Sequence, residues 1–310
     1  MSEFTSELQH KFRVDGYVVI EKILSPDEII SARNNLHNEL LNYGVNHENI
    51  LNGIDEPPDS VRKKSDISNM HYCKWKLDLQ LNQDIYNIYE QANSIIEETY
   101  YPLGKSSAML PFIDRICYRL PDIIRQEGGL QLHLDRRPPS ARGDLRCFDG
   151  TKKYRPIQGF ITLTDHYGNS SGGLKVVKGF HNEFENYFDG HECTDKSGEF
   201  YRMHNKAHAK LQAQCKAIPA PAGSLVIWDS RLPHSTCDTL SGYDSREVIY
   251  MSYLPNIDVN KKYWINQRNN FINNIVPHAA ASVKNSDYTK IDRTYSTEEL
   301  SDYQKMLLGL

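Results

Sequence analysis

Cysteine is sparse in this chain, and none of it is paired along the sequence. The six cysteines, at 73, 117, 147, 193, 215 and 237, form no Cys-x-x-Cys, which excludes the common zinc-ribbon and redox-dithiol spacings and leaves buried, reduced thiols as the expectation. Long apolar runs are missing too: no stretch approaches the roughly 18 residues that a membrane-spanning helix needs. The opening Met1-Ser2-Glu3-Phe4 lacks a basic segment followed by an apolar run, and the closing Leu307-Leu308-Gly309-Leu310 is neither a peroxisomal nor a retention signal, so a cytoplasmic, reducing setting is expected. Nor is one sign of charge in excess. With 36 basic and 40 acidic side chains the net charge is −4, which offers no general field for nucleic acid or an anionic membrane. Neither partner is expected, and any basic site must be local. Internal repeats and low-complexity tracts are absent, which excludes a solenoid.

What is present is the composition of a globular protein of 310 residues, enough to bury a large core. Phe4, Leu8 and Phe12 at helical spacing, then Asp15-Gly16 and Tyr17-Val18-Val19-Ile20, read as helix, turn and strand. Ser25-Pro26-Asp27-Glu28 starts a helix running to about Tyr43, with Ser as cap and Pro in the first turn. Residues 44–72, rich in Asn, Asp and Pro, read as a solvated loop or a lid, and Leu77 to about Tyr100 as one amphipathic helix. After Pro102 short apolar runs at 113–119, 131–135, 157–164, 173–177, 224–229 and 246–254 carry the pattern of an antiparallel sandwich or barrel. One catalytic domain over 1–310 is expected: 1–105 as mainly helical support, 106–258 as the strand core with a helical and loop insertion at 181–216, and 259–310 as a helical or loop tail.

The chemistry centres on Gln131-Leu132-His133-Leu134-Asp135. A strand places residues i and i+2 on one face, so His133 and Asp135 point together into one cavity. An imidazole and a carboxylate so held are two thirds of the 2-His-1-carboxylate triad that binds non-haem Fe(II) and leaves positions open. Alone, such a pair is commonly just a turn or a surface feature. Downstream, the strand Leu225-Val226-Ile227-Trp228 leads to His234, a second imidazole, and then to Arg246 at the head of an apolar strand. An inward guanidinium there needs a partner. Its planar fork suits a carboxylate, for which the distal carboxylate of 2-oxoglutarate is the simplest candidate. Thr236, two residues from His234, shares its face and offers a second donor.

These residues resemble the phytanoyl-CoA dioxygenase family of Fe(II)- and 2-oxoglutarate-dependent oxygenases. The likeness covers roughly residues 8–255 and rests on Leu132–Asp135, on Gly159–Asp165 with Asn169–His181, on Gly223–His234, and on Ser245-Arg246. It implies a double-stranded β-helix, the jelly-roll core of an α+β protein, wrapped by N- and C-terminal helices. His133, Asp135 and His234 would ligate iron, Arg246 would bind 2-oxoglutarate, and Arg119 falls where relatives place a basic residue near that cosubstrate. The implied reaction consumes O2 and releases succinate and CO2 while hydroxylating a C–H bond, with desaturation or oxidative cyclisation as alternatives. Departures are modest: Lys178 and Phe180 replace the usual Pro and Ser before His181, and the insertion beyond is long.

Four arginines, Arg136, Arg137, Arg142 and Arg146, lie within the eleven residues after the iron pair. As a cavity rim they would concentrate an anion, so a small metabolite bearing carboxylate or phosphate is the expected substrate, met by Arg136 and Arg137 with Gln131, Gln158 and Thr162 as pocket wall. His181 is expected to be structural, and His204 with His208 a surface pair. Two other classes stay open: a catalytically silent jelly-roll binding protein, and a hydroxylase of macromolecules.

Overall fold

The computed structural model describes residues 4–62, 66–67, 70, 72–100, 108–124, 129–135, 138, 154–189, 201–203, 206–242, 244–277, 288–290 and 293–310. Among the described residues, eleven strands make the two larger antiparallel sheets: β1 Tyr17–Ile20, β2 Asp66–Ile67, β3 Met109–Arg119, β4 His133–Leu134, β5 Ile157–Thr162, β6 Leu174–Val176, β7 Tyr201–Arg202, β8 Lys216–Ala217, β9 Leu225–Asp229, β10 His234–Thr236 and β11 Arg246–Pro255. The larger sheet runs β1-β9-β5-β11-β3-β2 and the smaller β7-β4-β10-β6-β8. Ten helices accompany them among the described residues: α1 Ser6–Asp15, α2 Pro26–Leu41, α3 His47–Leu51, α4 Asp59–Arg62, α5 Lys74–Gln80, α6 Gln83–Tyr100, α7 Phe184–Asp189, α8 Ala209–Gln214, α9 Asp258–Ile272 and α10 Asp302–Leu308.

The unbroken apolar run of β9 is explained by burial on both faces. Leu225 and Ile227 join the core beneath the N-terminal helices, while Val226 and Trp228 join a second core between the sheets. On β5, Ile157 and Ile161 face the helices and Phe160 faces the other sheet, so the two-residue period turns Gln158 and Thr162 inward with Phe160. Strand β11 divides likewise: Ile249 and Met251 lie under the helices and Val248 between the sheets, which sends Arg246 inward and Glu247 outward. Each large apolar side chain so buried contributes about 1.5–3 kcal/mol.

Local signals explain the helix limits. Ser25 and Glu28 form the reciprocal capping box that starts α2. The helix expected from Leu77 to Tyr100 is two, because Asn82 accepts the backbone N–H groups of Asp84 and Ile85 and so caps α6 anew. The stretch 44–72 is not simply a loop: it holds α3, whose His47 and Ile50 are buried, and β2, which joins the larger sheet. The insertion 181–216 likewise supplies β7 and β8, the two edges of the smaller sheet. No described helix is long and apolar enough to cross a membrane.

Candidate metal centre

Strands β4 and β10 pair so that His133 and His234 are direct partners across the ladder, which sets their ring centroids 4.4 Å apart. Each imidazole is clipped the same way. Nδ1 of His133 donates to the Gln131 carbonyl at 2.7 Å, and Nδ1 of His234 donates to the Leu232 carbonyl at 3.0 Å. A carbonyl can only accept, so Nδ1 carries a proton in each ring and Nε2 is the nitrogen turned toward the site. Asp135, two residues beyond His133, completes the group: its Oδ1 lies 3.3 Å from His133 Nε2 and 3.9 Å from His234 Nε2. One ligand atom from each of the three residues lies within 4.8 Å of the others, the separation a single ion requires.

The electrostatics favour binding. Burial, and then the neighbouring imidazole of His133, push His234 down to about 4 despite the attraction of Asp135, so the ring is neutral at physiological pH. Burial alone would raise the Asp135 carboxyl. The hydrogen bond with His133 and the charges around it overcome that and hold it well below the usual carboxylate range. Two imidazoles that present Nε2 and one carboxylate form a donor set that fits a divalent ion such as Fe(II).

Arg246 opens β11 opposite Arg119 of β3. Its Nη1 donates to Cys117 Sγ at 2.8 Å, and its Cζ lies 5.7 Å from the centre of the Phe160 ring. The backbone comes close here: Gly172 has φ +65°, and a Cβ on it would lie 3.2 Å from Arg246 Cδ and 3.5 Å from Arg119 Nη1. Glycine is therefore required both by its left-handed conformation and by the room the two arginines take. Trp228 Nε1, Gln158 Oε1 and His166 Nδ1 are buried polar atoms without a hydrogen-bond partner among the described residues. Trp228 stands 5.4 Å from His234, ring to ring, so a donor is held ready beside the metal candidates.

The other expected residues fall into different places. Arg119 donates to the carbonyls of Cys237 and Asp238 and to Asp122 at 2.7–2.9 Å, so it clamps the loop after β10 while bordering Arg246. Thr236 Oγ1 accepts the Leu130 N–H at 2.6 Å, tying down the chain that leads into His133 and Asp135. Gln131 has an exposed side chain and serves through its carbonyl. Gln158 does face inward, but its amide donates to Asp135 Oδ2. The Thr162 hydroxyl donates to the Thr164 carbonyl at 2.5 Å and meets His166 Nε2 at 3.2 Å, so it is spent on the turn after β5. Arg136 and Arg137 lie outside the described residues.

His208 is no surface residue: it is 2 % exposed and held between the hydroxyls of Tyr187 and Tyr201 at 2.6 and 3.0 Å. His181 is structural, as expected, with Nε2 bonded to the Arg13 carbonyl at 2.9 Å. Two participants escaped the sequence reading. Arg155 donates to Asp135 Oδ2 at 2.8 Å, and His166, 1 % exposed, is driven well below its usual range by burial and by Arg246. No local motif marks Arg155, whereas His166 follows the β5 strand signal by a few residues.

The phytanoyl-CoA dioxygenase (PhyH) family model matches residues 12–248. The chain belongs to that family. A Dictyostelium discoideum protein provisionally named as a phytanoyl-CoA dioxygenase is 23% identical over 207 residues, which is 58% of this chain and 56% of that relative. The match thus spans little more than half the relative's length. Among solved structures, GIG2 (DUF1479) from Candida albicans has a TM-score of 0.72 at 17% identity, over 99% of this chain and 76% of its own. The epimerase SnoN, solved with Fe3+, alpha-ketoglutarate and nogalamycin RO, has a TM-score of 0.52 at 13% identity, over 80% and 82% of the two chains. At such identities these likenesses concern the fold. With the family known, the metal-candidate triad and Arg246 fall inside the matched region, and the C-terminal helices α9 and α10 lie beyond it.

Proposed function

We propose that this protein is an Fe(II)- and 2-oxoglutarate-dependent oxygenase that oxidises a C–H bond of a small, acidic metabolite, and that its two sheets form a double-stranded β-helix. The observation that carries the reading is the convergence of His133 Nε2, His234 Nε2 and Asp135 Oδ1 in the same inter-sheet space that Arg246 enters from β11. His133, Asp135 and His234 hold the ion, and Arg246 takes the distal carboxylate of 2-oxoglutarate through its planar fork. Iron bound there supplies the O2-activating chemistry that couples conversion of 2-oxoglutarate into succinate and CO2 to substrate oxidation.

The chain's own part is placement and exclusion. Phe160, Trp228 and Val248 are buried around the site and keep water from the reacting atoms. The Nδ1 clips fix the orientation of each imidazole and present Nε2 as the ligating nitrogen. Residues 136–146 carry the arginines that support an acidic substrate, and SnoN, whose structure contains nogalamycin RO, supports small-molecule chemistry on this scaffold. The deciding experiment is Fe(II)-dependent formation of succinate from 2-oxoglutarate by the purified protein, abolished by Asp135→Ala. A folded protein that binds no iron and makes no succinate would leave the silent binding protein as the reading. Mass spectrometry of metabolite extracts incubated with the enzyme would then show a gain of one oxygen or a loss of two hydrogens on the substrate.

A further inference from the structure

The two oxygens of Asp135 face different surroundings. Oδ1 looks toward the two imidazole Nε2 atoms at 3.3 and 3.9 Å. Oδ2 receives Arg155 Nη2 at 2.8 Å and the amide of Gln158. Two charged or polar donors on one oxygen lower its ability to bind a cation, so the carboxylate is left asymmetric.

Arg155 is itself held from behind. Its Nη1 lies 3.6 Å from Asp114 Oδ2, and Asp114 is 4 % exposed. Asp114 is aimed there by an irregularity in the ladder. Between the pairs Ile249↔Ile116 and Met251↔Ile113, β3 carries two residues, Asp114 and Arg115, against the single Tyr250 of β11. Such a bulge turns its side chains out of the regular alternation. Helix α5 secures it: Lys76 Nζ and Gln80 Nε2 both donate to the Asp114 carbonyl, and Gln80 also donates to the Tyr250 carbonyl at 2.7 Å. A chain of contacts therefore runs from α5 through the bulge to Asp114, Arg155 and Asp135.

We propose that Arg155, braced by Asp114, is a positioning residue that makes Asp135 a one-oxygen metal ligand by occupying Oδ2 together with Gln158. The proposal rests on the reading of His133, Asp135 and His234 as the metal triad. Its consequence is stoichiometric: a six-coordinate ion with three single-atom protein ligands keeps three positions, enough for a chelating 2-oxo acid and for O2. If Asp135 chelates through both oxygens, one of these is lost.

The test is binding of Mn(II), as a redox-inert probe, to the full chain by electron paramagnetic resonance, with and without 2-oxoglutarate. For Arg155→Met the gain in Mn(II) affinity that 2-oxoglutarate brings should shrink about tenfold or more, because the freed Oδ2 can then take one of the positions that the 2-oxo acid needs. Arg155→Lys, which keeps the charge without the fork, should fall between it and the wild type. Because Arg155→Met leaves Asp114 facing Asp135 without a cation, the double variant Asp114→Asn/Arg155→Met removes that repulsion and should keep the diminished 2-oxoglutarate effect with a wild-type melting temperature. Folded single and double variants in which 2-oxoglutarate tightens Mn(II) binding to within about threefold of its effect on the wild type would overturn the role of Arg155. A wild type that binds no Mn(II), like Asp135→Ala, would instead overturn the metal triad itself and this proposal with it.

Discussion

Glu247, the neighbour of Arg246, offers a quantitative test of how the helices are locked to the sheet. Its carboxylate is fully buried under α2 and accepts Arg33 Nε at 2.9 Å, His37 Nε2 at 2.8 Å and the Ser245 hydroxyl at 2.6 Å. Burial alone would raise its pKa, but the bonds from His37 and Arg33 outweigh that and hold it at about 2, against an ordinary 4.5. At about 1.4 kcal/mol per tenfold change, this contributes about 3 kcal/mol of stability near neutrality. The folded-state value is depressed, so the contribution is complete above the unfolded value and is lost as pH falls toward the folded one. By pH 3 about 2 kcal/mol of it is gone. Urea unfolding of wild type and Glu247→Gln at pH 7, 5 and 3 measures this directly. The variant should be less stable by about 3 kcal/mol at pH 7, with the gap narrowing to about 1 kcal/mol at pH 3. A gap that stays constant across that range would show that the charge of Glu247 is not what ties α2 to β11.

Other expectations are simpler to state. Arg246→Lys keeps the charge but loses the fork, so the KM for 2-oxoglutarate in the succinate assay should rise by roughly tenfold or more; an unchanged KM would place the cosubstrate elsewhere. Gly172→Ala should raise the same KM while leaving the melting temperature within a few degrees, because its Cβ would press on Arg246 Cδ. Gly159→Ala puts a methyl 2.3 Å from the Tyr89 hydroxyl, which donates to the Met251 carbonyl at 2.9 Å; overpacking plus the lost bond should cost about 2–4 kcal/mol in urea unfolding. His208→Leu strips the Tyr187 and Tyr201 hydroxyls of their shared partner, and hydrogen exchange at Tyr201 and Arg202, the strand paired with His133 and Leu134, should accelerate well before global unfolding.

The readable parts of this protein are those governed by local periods. The helix start at Ser25-Pro26-Asp27-Glu28 is a short-range hydrogen-bonding pattern, and the structure has both halves of it. The His133-Leu134-Asp135 spacing depends only on the alternation of a strand, which holds even in a strand of two residues. Where the sequence misled, a non-local demand had intervened. Gln158 and Thr162 alternate inward as expected, yet one is taken by Asp135 and the other by the turn at Thr164. His208 looks like a surface histidine until two tyrosines from other segments close around it. The break between α5 and α6 carried a local signal, Asn82, that the longer apolar periodicity obscured.

Sequence alone therefore determined the identity and local presentation of the metal-candidate side chains, because a two-residue period and a histidine-to-carbonyl clip act within a few bonds. Only the tertiary structure decided which oxygen of Asp135 faces the histidines. That choice depends on Arg155, 20 residues away, and on Asp114 in a bulge held by α5, contacts that no spacing along the chain encodes.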